Sequence, residues 1–277
     1  MDNKLIGTKS QTQQILQKYN LSAKKKYGQN FLVEPSVLNK IAGEVDKSCD
    51  VIEIGAGIGA LTEVLALNSN SVTTYEIDND LIEVLHDNLD KYDNVTIINE
   101  DFLKAKLPEE KVTVVSNLPY YITSDLLVKL FTEGKNVEKI VAMMQKEVAK
   151  RFTGKEKGKD YSTVQVLAEY YCDVSSLMSV SHNNFIPAPH VDSEVLIFKM
   201  KKDNRVENEE LFCDIIKTCY SRRRKVILSN LNDCGYQITK QQLTDIGISE
   251  TARVEQLTIA DYLKIYEVIE NERKGIR

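Results

Sequence analysis

The stretch "VIEIGAGIGALTEVLA", Val51 to Ala66, runs from a strand pattern into Gly55, Gly57 and Gly59 and then into an amphipathic helix pattern. Glycines allow a tight turn and let backbone amides approach a ligand at the helix N-terminus, where the peptide dipoles favour it. Read as G-x-G-x-x-A, the turn fits a dinucleotide fingerprint; taken alone, it is also an ordinary structural turn. Glu76 favours the first reading. It closes the next strand pattern about twenty residues on, where a carboxylate can accept from both hydroxyls of a ribose. An adenosine-containing cofactor is therefore expected at this turn.

Outward from it, the runs "DVIEIG", "SVTTYEI", "NVTIIN", "KVTVVSN" and "EKIVAMMQ" read as strands, with helical patterns between several of them. That alternation predicts a doubly wound, mostly parallel sheet of the Rossmann-like kind. After Gln145 the pattern changes to a helix around Ser162–Tyr170 and two strand-like runs, near Cys172–Val180 and Glu194–Met200, which extend the sheet with an antiparallel edge. The polar run "KKDNRVENEE" (201–210) reads as a linker, and beyond it the chain is helical, with Gly235 and Gly247 as helix stops. The expected division is residues 1–204 as an α/β domain with a basic N-terminal segment, and 205–277 as a small all-helical domain.

Two further stretches carry chemistry. "NEDFL" sets Asp101 and Phe102 at the end of the third strand, level with the crevice, where Asp101 can accept from an adenine amino group or serve as a helix N-cap. "VVSNLPYYITSDLL", Val114 to Leu127, ends the fourth strand, which in such a sheet lies beside the first, at the switch point where ligands bind. Asn117 is thus placed to face the cofactor. An exocyclic base amine is a poor nucleophile because its lone pair is delocalised into the ring. Acceptors that take both its hydrogens draw it towards tetrahedral geometry, and the Asn117 side-chain oxygen and the Leu118 carbonyl suit that task. Pro119 stiffens the loop without adding a donor, and Tyr120 can stack on an extruded base. A buried turn with a core tyrosine is the bland alternative.

The chain has 277 residues, 42% of them hydrophobic and 28% charged, which suffices for one large and one small domain. No apolar leader or membrane-length run occurs, so a cytoplasmic site and no membrane partner are expected. Five cysteines without a C-x-x-C pair and three scattered histidines argue for reduced thiols and no metal site. The net charge of −5 speaks against a nucleic-acid partner, yet its distribution is uneven. Residues 1–27 carry six lysines against one aspartate, with Lys24, Lys25 and Lys26 consecutive. "KTCYSRRRK" (217–225) holds five basic residues, among them Arg222, Arg223, Arg224 and Lys225, and no acidic one. The run 146–160 adds six basic residues against three acidic. Three such runs in an acidic chain point to RNA phosphates.

The motifs "KKKYGQNFL" (24–32), "EIGAGIGALTE" (53–63), "YEID" (75–78), "EDFL" (100–103), "NLPYYI" (117–122), "MQKEVAKR" (144–151) and "FIPAPHVDSEV" (185–195) together resemble, in order, the S-adenosylmethionine-dependent ribosomal RNA adenine dimethyltransferases. The resemblance covers nearly the whole chain and departs from the family pattern in "KDYSTVQV" and at His190. It implies a methyltransferase sheet, S-adenosylmethionine as methyl donor and no metal. Asn30 and Leu32 would border the donor's methionine end, with Gly55 at the glycine turn, Glu76 on the ribose, Asp101 on the adenine, and Asn117 and Tyr120 at the target base. Phe185 would be a second aromatic sandwiching that base. The run "VDSEV" and the tail "SRRRKVILSNL" (221–231) resemble the branch that dimethylates two adjacent adenosines near the 3′ end of small-subunit (16S) RNA during ribosome assembly. The expected partner is then a precursor of the small ribosomal subunit, met by a monomer.

Other readings remain. The large-subunit (23S) branch confers macrolide resistance; a non-catalytic assembly factor would need only the basic runs. A nicotinamide dehydrogenase would share the glycine turn but leave "NLPY" unexplained and lacks a histidine-centred hydride site.

Overall fold

The β-branched runs of the first half form strands, and the amphipathic patterns between them form helices. The computed structural model describes residues 5–154, 162–203 and 205–275, with their side chains except that of Lys25. The chain divides into two units, Met1–Thr153 with Asp173–Met200, and Gly154–Cys172 with Lys201–Arg277.

The first unit contains α1 (Lys9–Lys18), β1 (Phe31–Leu32), α2 (Pro35–Ala42), β2 (Asp50–Ile54), α3 (Ala60–Ala66), β3 (Ser71–Tyr75), α4 (Ile82–Leu89) and β4 (Val95–Ile98). It continues with β5 (Val112–Asn117), α5 (Thr123–Glu133), β6 (Val137–Gln145), α6 (Lys146–Thr153), β7 (Cys172–Val180), β8 (Phe185–Ile186) and β9 (Ser193–Met200). Seven strands make one sheet in the order β4-β3-β2-β5-β6-β9-β7. Pairs from β4 to β6 are parallel, and β9 joins β6 antiparallel, so the antiparallel edge expected from the two late strand patterns is present. Val112–Ser116 of β5 is buried throughout, as befits a central parallel strand with both faces covered.

Strand order reverses between β2 and β5, which opens a crevice at the strands' carboxyl ends. Ile54 stands opposite Tyr75 on one side and Ser116 on the other. Gly55, Glu76 and Asn117 therefore leave the sheet at one level. A separate two-stranded ladder pairs Phe31 with Ile186 and Leu32 with Phe185.

The second unit is helical: α7 (Thr163–Tyr171), α8 (Glu209–Ser221), α9 (Ile227–Asp233), α10 (Lys240–Asp245) and α11 (Ile259–Arg273). Thr239 with Gln242 and Thr258 with Asp261 form capping boxes that satisfy the first amides of α10 and α11. Gly235 (φ 92°) and Gly247 (φ 79°) follow α9 and α10 in the left-handed region that ends a helix. The sequence placed residues up to 204 in the first domain, whereas 154–172 groups with the helical unit. The reason is aromatic. Tyr170 lies 4.5 Å from Phe212, Phe212 meets Tyr266 edge-on at 5.9 Å, and the Tyr171 hydroxyl is 3.3 Å from the Cys213 sulfur. Among the described residues no helix is long and apolar enough to cross a membrane.

Candidate active site

A cleft opens above the carboxyl ends of β2–β5 and gathers Asn30, Leu32, Gly55, Glu76, Asp101, Asn117, Leu118, Pro119 and Tyr120 in its lining. Of the residues assigned from sequence to cofactor and target base, Phe185 alone is absent from that lining.

The glycine turn owes its shape to backbone that only glycine adopts easily: φ is 80° at Gly55 and 59° at Gly57. A Cβ on Gly57 would also touch the Phe31 ring at 3.4 Å. Glu76 is buried and holds the turn from below. Its two oxygens accept from the amides of Gly57 and Asp78, both at 2.8 Å, and the carboxylate keeps acceptor capacity for a hydroxyl. Burial raises the Glu76 pKa, with those amide bonds opposing the rise. Beside it, the Asp101 carboxylate accepts from the Leu103 amide at 3.0 Å within a turn that no helix follows, so the helix N-cap alternative does not describe it. Phe102 packs edge-on against Tyr75 at 5.0 Å, and Ile77 lies partly exposed in the same wall. A carboxylate for a diol next to flat apolar walls fits the adenosine part of S-adenosylmethionine.

The segment Tyr27–Leu32 lines another side of the cleft. Gly28 (φ 61°) turns it, and Asn30 donates to the Gly28 carbonyl at 2.9 Å. Lys24 departs from its expected phosphate role. Its ammonium lies 2.5 Å from both Asp78 and Asp80, while Gln29 accepts from the Lys24 amide and donates to Asp78, each at 2.8 Å. Burial disfavours the Asp78 anion, but Lys24 and Gln29 outweigh it and hold the carboxyl below its usual range. Lys24 thus ties the segment before this wall to the turn after Glu76. Lys26 is exposed, 4.3 Å above the Tyr27 ring; the side chain of Lys25 lies outside the described residues.

Asn117 ends β5 and donates through its side-chain nitrogen to the Asn30 carbonyl at 3.3 Å, so its oxygen remains as an acceptor in the cleft. The Leu118 amide donates to the Met143 carbonyl at 2.9 Å, and Pro119 accepts from Ile122 and Thr123. Tyr120 is tethered through its hydroxyl to Ser193, 2.8 Å away. Burial raises its pKa, with the Ser193 bond opposing, so the phenol is neutral at pH 7. Phe185 is instead 3% exposed within the apolar core, where its pairing with Leu32 holds it. Tyr121, 53% exposed, and Tyr27 supply further aromatic surface in the lining. Neither they nor Ser193 were singled out from sequence, although all three lie inside the motifs quoted above.

Directly below the glycine turn, Glu53 is fully buried. One of its oxygens accepts from Thr62 at 2.5 Å and Thr74 at 2.7 Å; the other has no hydrogen-bond partner. Burial pushes its pKa up to about 7; the two threonines oppose this and the Glu76 charge adds to it.

In the helical unit, Arg222 and Lys225 both reach Asp233, at 2.6 and 3.3 Å, and Arg223 lies 5.8 Å from the Tyr220 ring centre. All four residues of the 222–225 run are exposed. The run 146–160 lies partly outside the described residues.

Residues 20–271 match the model of a family described as ribosomal RNA adenine dimethylase. Over 96% of its own length and 96% of the relative's, the chain is 41% identical to ribosomal RNA small subunit methyltransferase A of Staphylococcus aureus (strain Newman). Among solved structures, a dimethyladenosine transferase from Plasmodium falciparum superposes with a TM-score of 0.74 at 27% identity, covering 88% of this chain and 98% of that one. The 23S rRNA methyltransferase ErmE gives a TM-score of 0.66 at 26% identity, covering 87% of this chain and 100% of that one.

Proposed function

The chain belongs to the ribosomal RNA adenine dimethylase family, and from that premise we propose that it converts two adjacent adenosines near the 3′ end of small-subunit ribosomal RNA to N6,N6-dimethyladenosines during ribosome assembly. The small-subunit choice is supported by the 41% identity to a small-subunit enzyme over nearly the full chain, against 26% to the 23S enzyme.

The observation that carries the chemistry is Asn117 at the end of β5, its side-chain nitrogen bonded to the Asn30 carbonyl and its oxygen left as an acceptor, with Leu118 next to it in the cleft lining. When bound, S-adenosylmethionine supplies an electrophilic methyl group. Glu76 would hold its ribose, Asp101 with Phe102 and Ile77 its adenine, and Asn30, Leu32 and Gly55 would line its methionine end. Asn117 and Leu118 would take the two N6 hydrogens of an extruded adenine and so turn the nitrogen lone pair out of the ring. Tyr120 would stack on that base, an interaction worth about 1–3 kcal/mol. The amine loses one proton per transfer to water, so the site needs no strong general base. Lys26 and Arg222–Lys225 would bind RNA phosphates.

Radiolabelled S-adenosylmethionine supplied to separated, unmethylated small and large subunits tests the reading. Label is expected in the small-subunit RNA, and Asn117→Ala should cut its rate about a hundredfold or more while cofactor affinity holds. Label confined to large-subunit RNA would favour the resistance-type reaction, and no label in either, a non-catalytic assembly role.

A further inference from the structure

We infer that Ser193 is a positioning residue for methyl transfer, acting through Tyr120; this rests on the reading of Asn117–Tyr120 as the target-base site. Ser193 is fully buried, opens β9, and stands opposite Gln145 at the end of β6. Its hydroxyl lies 2.8 Å from that of Tyr120, across 73 positions of sequence.

The loop after β5 is fixed along its main chain by Leu118 on Met143 and by Ile122 on Pro119. Those bonds set where Tyr120 begins and leave its ring direction to the side chain. A phenol hydroxyl lies on the axis through Cβ and Cγ, so a bond to it pins the direction in which the ring projects. Ser193 supplies that bond from the strand.

Its own position is secured twice over. The Lys146 amide donates to the Asp192 carbonyl at 3.0 Å, and the Asp192 carboxylate accepts from the His182 amide at 3.0 Å and meets the His182 Nδ1 at 2.8 Å. The place of the ring on which a base would stack is thereby referenced to β6 and β9, and Asn117 to β6 through its register with Met143. Losing the tether would leave the aromatic surface in place but loosen its alignment with Asn117. Turnover should suffer and binding should not.

The test compares wild type, Ser193→Ala, Tyr120→Phe and the double variant in methylation of unmethylated small subunits, with cofactor binding followed by calorimetry. Each single change should lower kcat about fivefold, equivalent to about 1 kcal/mol, with the KM for the particle and the cofactor Kd unchanged. The double variant should be no worse than either single one, because both remove the same bond. Wild-type kcat in Ser193→Ala, losses that multiply in the double variant, or a loss seated in cofactor Kd would each overturn the assignment. Should Ser193→Ala fail to fold, Tyr120→Phe cuts the bond from the loop side, and unchanged kcat there overturns it equally. No label in the wild type would instead reject the underlying methyltransferase reading, and this inference with it.

Discussion

Replacing Glu53 with glutamine should abolish a specific pH dependence of stability. The glutamine side-chain oxygen can still accept from Thr62 and Thr74, and the titrating proton disappears. In the folded protein the Glu53 carboxyl titrates near 7 against an ordinary value of 4.5. Between those values the native state keeps a proton that the unfolded chain releases. The native state is therefore favoured most below about pH 4.5, and that advantage is lost as pH rises through 7. At about 1.4 kcal/mol per pH unit, the window amounts to about 3 kcal/mol. Urea unfolding followed by circular dichroism, at steps from pH 4.5 to 8, gives the free-energy difference between wild type and Glu53→Gln. It should shift by about 3 kcal/mol in favour of the variant across the series, while other titrating groups cancel. A difference that stays flat over that range would mean Glu53 is ionised in the fold, and the account of its burial would fail.

Glu76→Gln should weaken S-adenosylmethionine binding by about tenfold or more, since a charged acceptor of the ribose becomes neutral. In the wild type the same affinity should fall with acidity from above the usual carboxylate range, because burial raises the Glu76 pKa and protonation removes an acceptor; calorimetry across pH reads both. Reversing Arg222, Arg223 and Arg224 to glutamate should flatten the dependence of log affinity for the small subunit on log salt, by about 0.7–0.9 for each phosphate no longer neutralised, and leave cofactor affinity alone. An unchanged slope in filter binding would remove these arginines from the RNA footprint.

What could be read from the chain beforehand was local. The glycine turn, Glu76 closing the next strand and Asn117 closing the fourth each declare themselves within a few residues, because strand periodicity and turn chemistry are written in adjacent positions. The helix stops at Gly235 and Gly247 are of the same kind. Long-range pairing was not legible. Nothing near Lys24 says that Asp78 and Asp80 will take its ammonium, so a lysine run looked like a phosphate-binding site. Phe185 fits its motif, yet its burial follows from pairing with Leu32, which no local pattern announces. Ser193 and Tyr120 meet because β5 and β9 flank β6, an arrangement that exists only once the sheet has formed. The grouping of Thr163–Tyr171 with the helical unit depends on aromatic partners 40 or more positions away, Phe212 and Tyr266.

That grouping bears on how the protein is made. During synthesis the chain completes α6 with β6 still an open sheet edge, then makes α7, whose aromatic partners in α8 begin only at Glu209. It next returns to the first unit with β7 and β9 before those partners emerge. At about 5–20 residues per second, translation leaves the Tyr170–Tyr171 face uncovered for seconds while the β6 edge awaits β9. An unpaired strand edge and a bare aromatic helix thus coexist on the nascent chain, the combination that invites self-association and that chaperones shield.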